Sequence, residues 1–309
     1  MIRFWTKQIV HVGFVVWLVS TLTFVLLRLA PGDPAYILLT ANDVPASERA
    51  LQTLREELGL TDSPLIQYAN WMRDVFSSNW GTSYVSGESV LTELLQRLPA
   101  TIELAVAGLL VMLFVTLVIG ITTAMYSTGW LDRSGRLLAL LGAAIPSFWL
   151  GFLLIYMFSV RGGWLPSIGH GTWKHLVLPA LTLGLGMGAV YARVLRTNMR
   201  EVLNQNFIKA SKARGLSTTR IMLFQVFQHA ALPIVTMVGT SFAYMVGGSM
   251  IVESIFSWPG VGKYIMVAIQ HRDYPVIQGY VVLVSALFVV IHAMVDFIGM
   301  LLDPRLRVR

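Results

Sequence analysis

Long apolar runs recur along the chain, and polar stretches of very unequal length separate them. The runs lie at about residues 9–29, 101–126, 137–160, 176–195, 234–252 and 276–302. A helix rising ~1.5 Å per residue needs about 20 residues to cross a hydrocarbon core of roughly 30 Å, and each run is close to that length or longer. The pattern predicts an all-α integral membrane protein with six transmembrane helices. The longest polar interval, residues 30–100, carries three short helical patterns. Ala30, Pro31, Gly32, Asp33 and Pro34 end the first span. Ser47 then opens a pattern through Leu51, Leu54 and Leu58 that stops at Gly59. Pro64 opens a second with Ile66, Tyr68, Trp71 and Val75, and Val90, Leu94 and Leu95 mark a third. The organisation expected is a first span at 1–29, a small helical insertion at 30–100 and a five-span core at 101–309.

Within the core one segment is basic and mostly polar, NFIKASKARGLSTTRIMLFQVFQHAALP from Asn206 to Pro233. Phe207, Ile208, Ala210, Ala213 and Leu216 fall roughly on one face at helical spacing, while Lys209, Lys212 and Arg214 spread over the rest. Gly215 suits the left-handed position that ends a helix. Ser217 can cap a second helix through Met222 and Phe227, up to Pro233. So short an amphipathic helix needs a partner to pack against.

Composition agrees with a bilayer as solvent: 55% of residues are hydrophobic and 13% charged. With no cysteine, disulfides and thiolate metal sites are excluded. A net charge of +7 in a soluble protein would point to nucleic acid, but its distribution gives a different answer. The N-terminus, residues 127–136, residues 193–228 and the C-terminal tail hold 14 Lys/Arg against 3 Asp/Glu, and the remainder holds 9 against 13. The positive-inside rule then places both termini in the cytoplasm and residues 30–100 outside, with no nucleic-acid role. Arg3 and Lys7 before the first apolar run resemble a signal peptide, yet the run is too long and lacks a small-residue cleavage site, so it reads as a retained anchor.

Lys209-Ala210-Ser211-x-x-x-Gly215, followed by Leu232-Pro233, resembles the cytoplasmic loop of the membrane subunits of ABC importers, with Lys in place of the usual acidic first residue. Other stretches extend the resemblance from end to end, and they are similar to the peptide/nickel importer permeases. They are Pro31-Gly32-Asp33-Pro34, Leu98-Pro99-Ala100-Thr101, Pro146-Ser147-Phe148-Trp149, Trp164-Leu165-Pro166, Phe256-Ser257-Trp258-Pro259-Gly260-Val261-Gly262, Arg272-Asp273-Tyr274-Pro275-Val276-Ile277-Gln278 and Leu302-Asp303-Pro304-Arg305. Their joint order resembles the first of the two permease types that such importers pair. The resemblance implies a type I ABC importer permease fold in a bacterial inner membrane, carrying small peptides, glutathione, or nickel and metallophore chelates. It also implies a second homologous permease, two cytoplasmic ATPases and an extracytoplasmic substrate-binding protein as partners. ATP and Mg would be bound by the ATPases, and no cofactor by this chain. Phe207, Ile208, Lys209, Ala210, Ser211, Lys212, Ala213, Arg214 and Gly215, within the loop 197–228, would be the ATPase-coupling element.

Pro146, Ser147, Phe148 and Trp149 are candidate path-lining residues because Pro146 should kink the third span, and Met187 and Met245 are candidates with them. Gly184, Gly186, Gly188, Gly239, Gly247 and Gly248 would let spans four and five approach other helices closely. Trp258 is expected in the outer aromatic belt, Glu103 and Glu253 at the interface, and Asp296 in a pair with Arg193, Arg196 or Arg305. Gly260-Val261-Gly262-Lys263 is no phosphate loop, since Ser257 stands at the first required glycine and Tyr264 follows the lysine. His271-Arg272-Asp273 lacks the asparagine of a kinase loop, at Gln278, and is expected as an outer loop. His170, His175 and His271 have no acidic or cysteine cluster beside them, so no metal site is expected. The competing class is an ATP-independent six-span carrier or channel acting as a homodimer; the coupling-type loop and the lack of a centrally placed charge count against it.

Overall fold

Proline, glycine and polar caps decide where the helices of this chain begin and end. The computed structural model describes residues 2–29, 32–41, 47–126 and 129–302. Among the described residues the regular structure is helix, joined by turns and short irregular stretches, apart from one isolated antiparallel bridge between Thr82 and Ser89. Pro31 and the ending Asp303-Pro304-Arg305, used above as motif positions, lie outside them. Helix α1 (Ile2–Leu29) is followed by α2 (Pro34–Ala41), α3 (Glu48–Glu57), α4 (Pro64–Phe76) and the long α5 (Val90–Met125). The third short pattern is therefore continuous with the second span: Pro99 is accommodated inside α5, and no break falls at residue 100.

Next come α6 (Trp130–Ala144) and α7 (Ser147–Leu154), which runs on through π-helical turns at Ile155–Arg161. The expected kink at Pro146 is a full break. Ile145 and Pro146 are extended, with ψ of 123° and 138°, and the helices on either side of them are bent by 107°. A proline leaves one carbonyl of the preceding turn unpaired and disfavours helix at the residue before it, which ends α6 there. Most of the expected loop 127–136 is also helix, since α6 begins at Trp130.

The chain continues as α8 (Trp173–Leu203), α9 (Asn206–Ala213), a single turn α10 (Thr218–Arg220), π-helical turns at Ile221–Val226, and α11 (Phe227–Ala230). After these come α12 (Leu232–Gly248), α13 (Met250–Ile255), α14 (Val261–Gln270) and α15 (Tyr274–Leu302). Among the described residues four helical segments are long and apolar enough to cross a membrane: Val10–Leu29, α5, α8 and Tyr274–Phe297. The bent pair counts as a fifth if it is one span.

Two compact units arise, residues 1–101 with 259–290 and residues 102–258 with 291–309. In the first, α4 lies on α1 through aromatic rings: Phe24 packs edge-on against Tyr68 at 5.3 Å and stacks on Trp71 at 5.7 Å. The Tyr68 hydroxyl reaches Thr21 at 2.8 Å and accepts the Trp17 indole N–H at 3.1 Å. Ser47 caps α3 by accepting from the Ala50 N–H, and Pro64 opens α4, as the sequence predicts. The segment 79–89 is tied to the start of α15. Ser83 Oγ donates to Asp273 Oδ2 at 2.5 Å, and Gly279 has no room for a side chain against Val90 and Leu94 of α5. His271-Arg272-Asp273 forms the turn between α14 and α15, with Asp273 buried.

In the second unit α8 is the central helix, packed by α5, α6, α7, α11, α12 and α13. Its small residues permit this. A methyl group on Gly184 would lie 2.5 Å from the Gly108 carbonyl oxygen of α5, and one on Gly188 2.9 Å from that of Met112. Gly239 of α12 lies directly against Val295 of α15 in the same way. Trp258 and Glu253, expected near the outer interface, are buried within the protein. Glu253 accepts the Ser249 hydroxyl at 2.7 Å, while the Trp258 ring lies edge-on to His170, which in turn pairs with exposed Glu103 at 3.1 Å.

Candidate functional site

The basic segment becomes a helical hairpin fastened to the end of α8. Gln205 turns the chain out of α8 with extended backbone, and α9 runs for eight residues. Gly215 follows at φ +79°, the left-handed conformation the sequence predicts at the helix stop. Ser217 then accepts from the Arg220 N–H and starts the return. Ile208 is fully buried among Leu195 and Met199 of α8, Ile221, Met222, Val226 and Ala230 of the returning arm, Ile234 of α12 and Ala124 of α5. Removing that side chain from water contributes roughly 1.5–3 kcal/mol, which is what holds a two-turn helix that could not persist alone.

The inward face is narrower than predicted. Ile208 and Ser211 point in, one turn apart, and Leu216 packs at the edge of the cluster. Ala210 and Ala213, expected on the apolar face, are exposed. They lie outward with Phe207, Lys209, Lys212, Arg214 and Gly215. The Phe207 ring sits 5.1 Å from that of His229 on α11. Ile208 is the α9 side chain that enters the cluster with Leu195 and Met199 of α8. What remains outward is a helix face of two alanines, an aromatic ring and three cations, low in relief and positive.

Among the candidate path residues, Pro146, Ser147, Phe148 and Trp149 come together at the break between α6 and α7, and all four are exposed, Phe148 and Trp149 each to 49%. Met187 is half-buried on α8. Met245 is fully buried on α12, its sulfur 3.4 Å from where a Gly108 methyl would stand, so it fills a helix–helix contact. Exposed apolar side chains at the break suit a surface covered by lipid, a partner helix or passing solute.

An ion cluster on α6 and α8 has no counterpart in the sequence reading. Asp132 is buried and accepts from Arg196 Nε at 3.1 Å and Nη2 at 2.8 Å, while Arg136 reaches its other oxygen at 3.1 Å. Arg196, one expected partner for Asp296, is thus engaged by Asp132. The available signal was that Asp132 is the lone acid among the arginines of residues 127–136. Among the described residues no group of His, Cys, Asp or Glu could hold a metal ion.

These features define a multi-pass helical membrane protein whose second unit carries a short, docked, outward-presented basic helix. Residues 116–308 match the family described as binding-protein-dependent transport system inner membrane component, and residues 1–105 match the N-terminal domain that accompanies it. The chain belongs to that family of transport-system permeases. Relatives span it from end to end. A probable peptide ABC transporter permease protein, y4tP of Sinorhizobium fredii, is 38% identical over 97% of this chain and 98% of its own length. The glutathione transport system permease protein GsiC of Escherichia coli (strain K12) is 34% identical over 99% of both chains. In fold, a chain of the inward-facing MetNI methionine ABC transporter matches with a TM-score of 0.54 at 22% identity, over 68% of this chain and 96% of its own.

Proposed function

We propose that this chain is one of two homologous permease subunits of an ATP-driven importer for peptides, and that it forms half of the translocation path. Peptide-sized cargo, glutathione included, is supported by the full-length similarity to permeases named for peptide and glutathione transport. Metal chelates of similar size remain within the same reading. Six spans cross the inner membrane: α1, α5, the bent pair α6–α7, α8, α12 with α13, and α15. The basic loops then put both termini and α9 on the cytoplasmic side and residues 30–100 outside, where a substrate-binding protein would deliver cargo.

The observation that carries the reading is α9, anchored from within by Ile208 and presenting a flat positive face outward. Such a helix is built to be moved by a second protein and to pass that movement to α8 and α12, which share its core cluster. Two cytoplasmic ATPases would grip it, one on this chain and one on the second permease. ATP binding would close them and open the path outward, and hydrolysis would reset it. The test is gentle purification of the tagged chain from its native membrane. Recovery of ATPase subunits and a second permease, with peptide-stimulated ATP hydrolysis, is the expected result; a homo-oligomer without ATPase overturns the reading.

A further inference from the structure

The ends of α5, α6 and α8 nearest residue 130 share a narrow cleft lined by Thr123, Arg136, Arg193 and Arg196. The cleft itself has room for no more than a water molecule, so we propose that its arginine rim, with the adjoining face of α6, binds the headgroup of an anionic phospholipid in the cytoplasmic leaflet. The proposal rests on the orientation given above, which brings these helix ends to the inner membrane surface.

Charge is the first argument. Arg133, Arg136, Arg193 and Arg196 stand at these helix ends, and Asp132 is the acid the structure sets against them. Asp132 is buried and spends both oxygens on Arg196 and Arg136, so it organises the cluster without neutralising it. Arg196 is fixed by two hydrogen bonds to it, and Arg136, which meets it through Nη2, is half exposed. Arg133 and Arg193 are exposed. The local surplus is positive and held in place, as a phosphodiester requires.

The second argument is the face on which that charge sits. Asp132, Gly135, Ala139 and Gly142 form the inward stripe of α6, with Gly142 tight against Ala189 of α8. The outward face begins at Trp130, 79% exposed, passes Arg133 and Arg136, and continues one turn on as Leu137, Leu140 and Leu141, each about half exposed. Aromatic ring, then cations, then aliphatic side chains is the order that headgroup, phosphate and acyl chain impose along the bilayer normal. A soluble protein docked here would leave the leucines in water, whereas one lipid covers both regions.

The experiment uses the purified full-length chain with whatever subunits accompany it, in discs of phosphatidylcholine with or without phosphatidylglycerol, read by native mass spectrometry. Phosphatidylglycerol should be retained selectively, and Arg133→Gln with Arg193→Gln should weaken retention about tenfold or more. Neither substitution touches the Asp132–Arg196 pair, and each alone should give a graded part of the loss. Lys174→Gln, at the start of α8 away from the cleft, should leave retention unchanged. Equal retention of the two lipids, or undiminished phosphatidylglycerol in the double variant, would overturn the proposal. So would a photo-reactive residue at Leu137 that captures an ATPase subunit instead of lipid. Because lipid is read on the chain itself, the result stands apart from whether ATPases co-purify.

Discussion

Ser83 and Asp273, 190 residues apart, meet in a 2.5 Å hydrogen bond inside the first unit. Asp273 uses the same oxygen to accept from the Val85 N–H, and its other oxygen accepts the Val276 N–H at the start of α15. One buried carboxylate therefore pins the 79–89 segment and caps a 29-residue helix. Asp273→Ala removes both functions and strands the Ser83 hydroxyl, so it should cost about 2–4 kcal/mol. Ser83→Ala should cost less, and the double variant should fall short of the sum by roughly 0.5–3 kcal/mol. Thermal unfolding of the four proteins in detergent checks this, and strict additivity would mean the bond carries no coupling.

Glycines on α8 give a sharper contrast. A methyl on Gly184 meets the Gly108 carbonyl oxygen at 2.5 Å and Val111 at 2.6 Å, backbone and branch point that cannot swing aside. On Gly186 the nearest atom is the Gly142 carbonyl oxygen at 3.3 Å. Gly184→Ala should destabilise by about 1–3 kcal/mol. Gly186→Ala should cost less, since the Gly142 carbonyl has to yield only a few tenths of an ångström and the better helix propensity of alanine, up to about 1 kcal/mol, offsets that shift. Equal melting temperatures for the two variants would show that α5 and α8 are not packed this closely.

What was legible in the sequence is what the local backbone settles. Ser47, Pro64, Gly215 and Ser217 sit at the helix boundaries predicted for them, because capping and left-handed turns depend on near neighbours. Pro146 announces a break, but its 107° angle depends on how α6 and α7 each lie on α8. The burial of Asp273 and Trp258 depends on partners far along the chain, Ser83 and His170, which no local pattern announces, whereas buried Glu253 is met by Ser249 one turn before it. In α9 the apolar pattern named Ile208 correctly, but alanines fit either face, and Leu195 and Met199 decide which one is buried.

Burial holds the Tyr84 phenol well above its ordinary range, up to about 12 from 10, with the Arg28 guanidinium pulling partly the other way. The folded state thus binds this proton more tightly than the unfolded chain does. Its contribution is fully present below pH 10 and is lost as pH rises to about 12, an effect of about 2–3 kcal/mol. Tyr84→Phe should flatten that part of the stability profile, and phenolate absorbance should show one tyrosine fewer titrating last. A wild-type profile as flat as that of the variant would contradict the burial of this ring.

The two faces of α9 should separate stability from assembly. Ile208→Ala leaves a cavity in the cluster around Leu195 and Met222 and should cost about 2–4 kcal/mol, loosening α9 from α8. Lys209→Glu with Lys212→Glu alters exposed positions and should leave the melting temperature unchanged while weakening recovery of ATPase subunits. Undiminished recovery after charge reversal would move the ATPase contact off this helix.

Gly215 tests coupling itself. It adopts φ +79° with no atom within 4 Å of the place a side chain would occupy, so any effect of substitution comes from backbone conformation and not from crowding. Gly215→Val forces a β-branched residue into the left-handed region at a cost of about 1–3 kcal/mol, relieved by opening the turn between α9 and α10. Asparagine tolerates that region, so Gly215→Asn should retain much of the function. The expected outcome is that Gly215→Val inserts and co-purifies with its partners but loses peptide-stimulated ATP hydrolysis and uptake, with Gly215→Asn intermediate. Full stimulation in the valine variant would mean that the angle of this turn does not carry the signal, and that α9 reaches α8 through the Ile208 cluster alone.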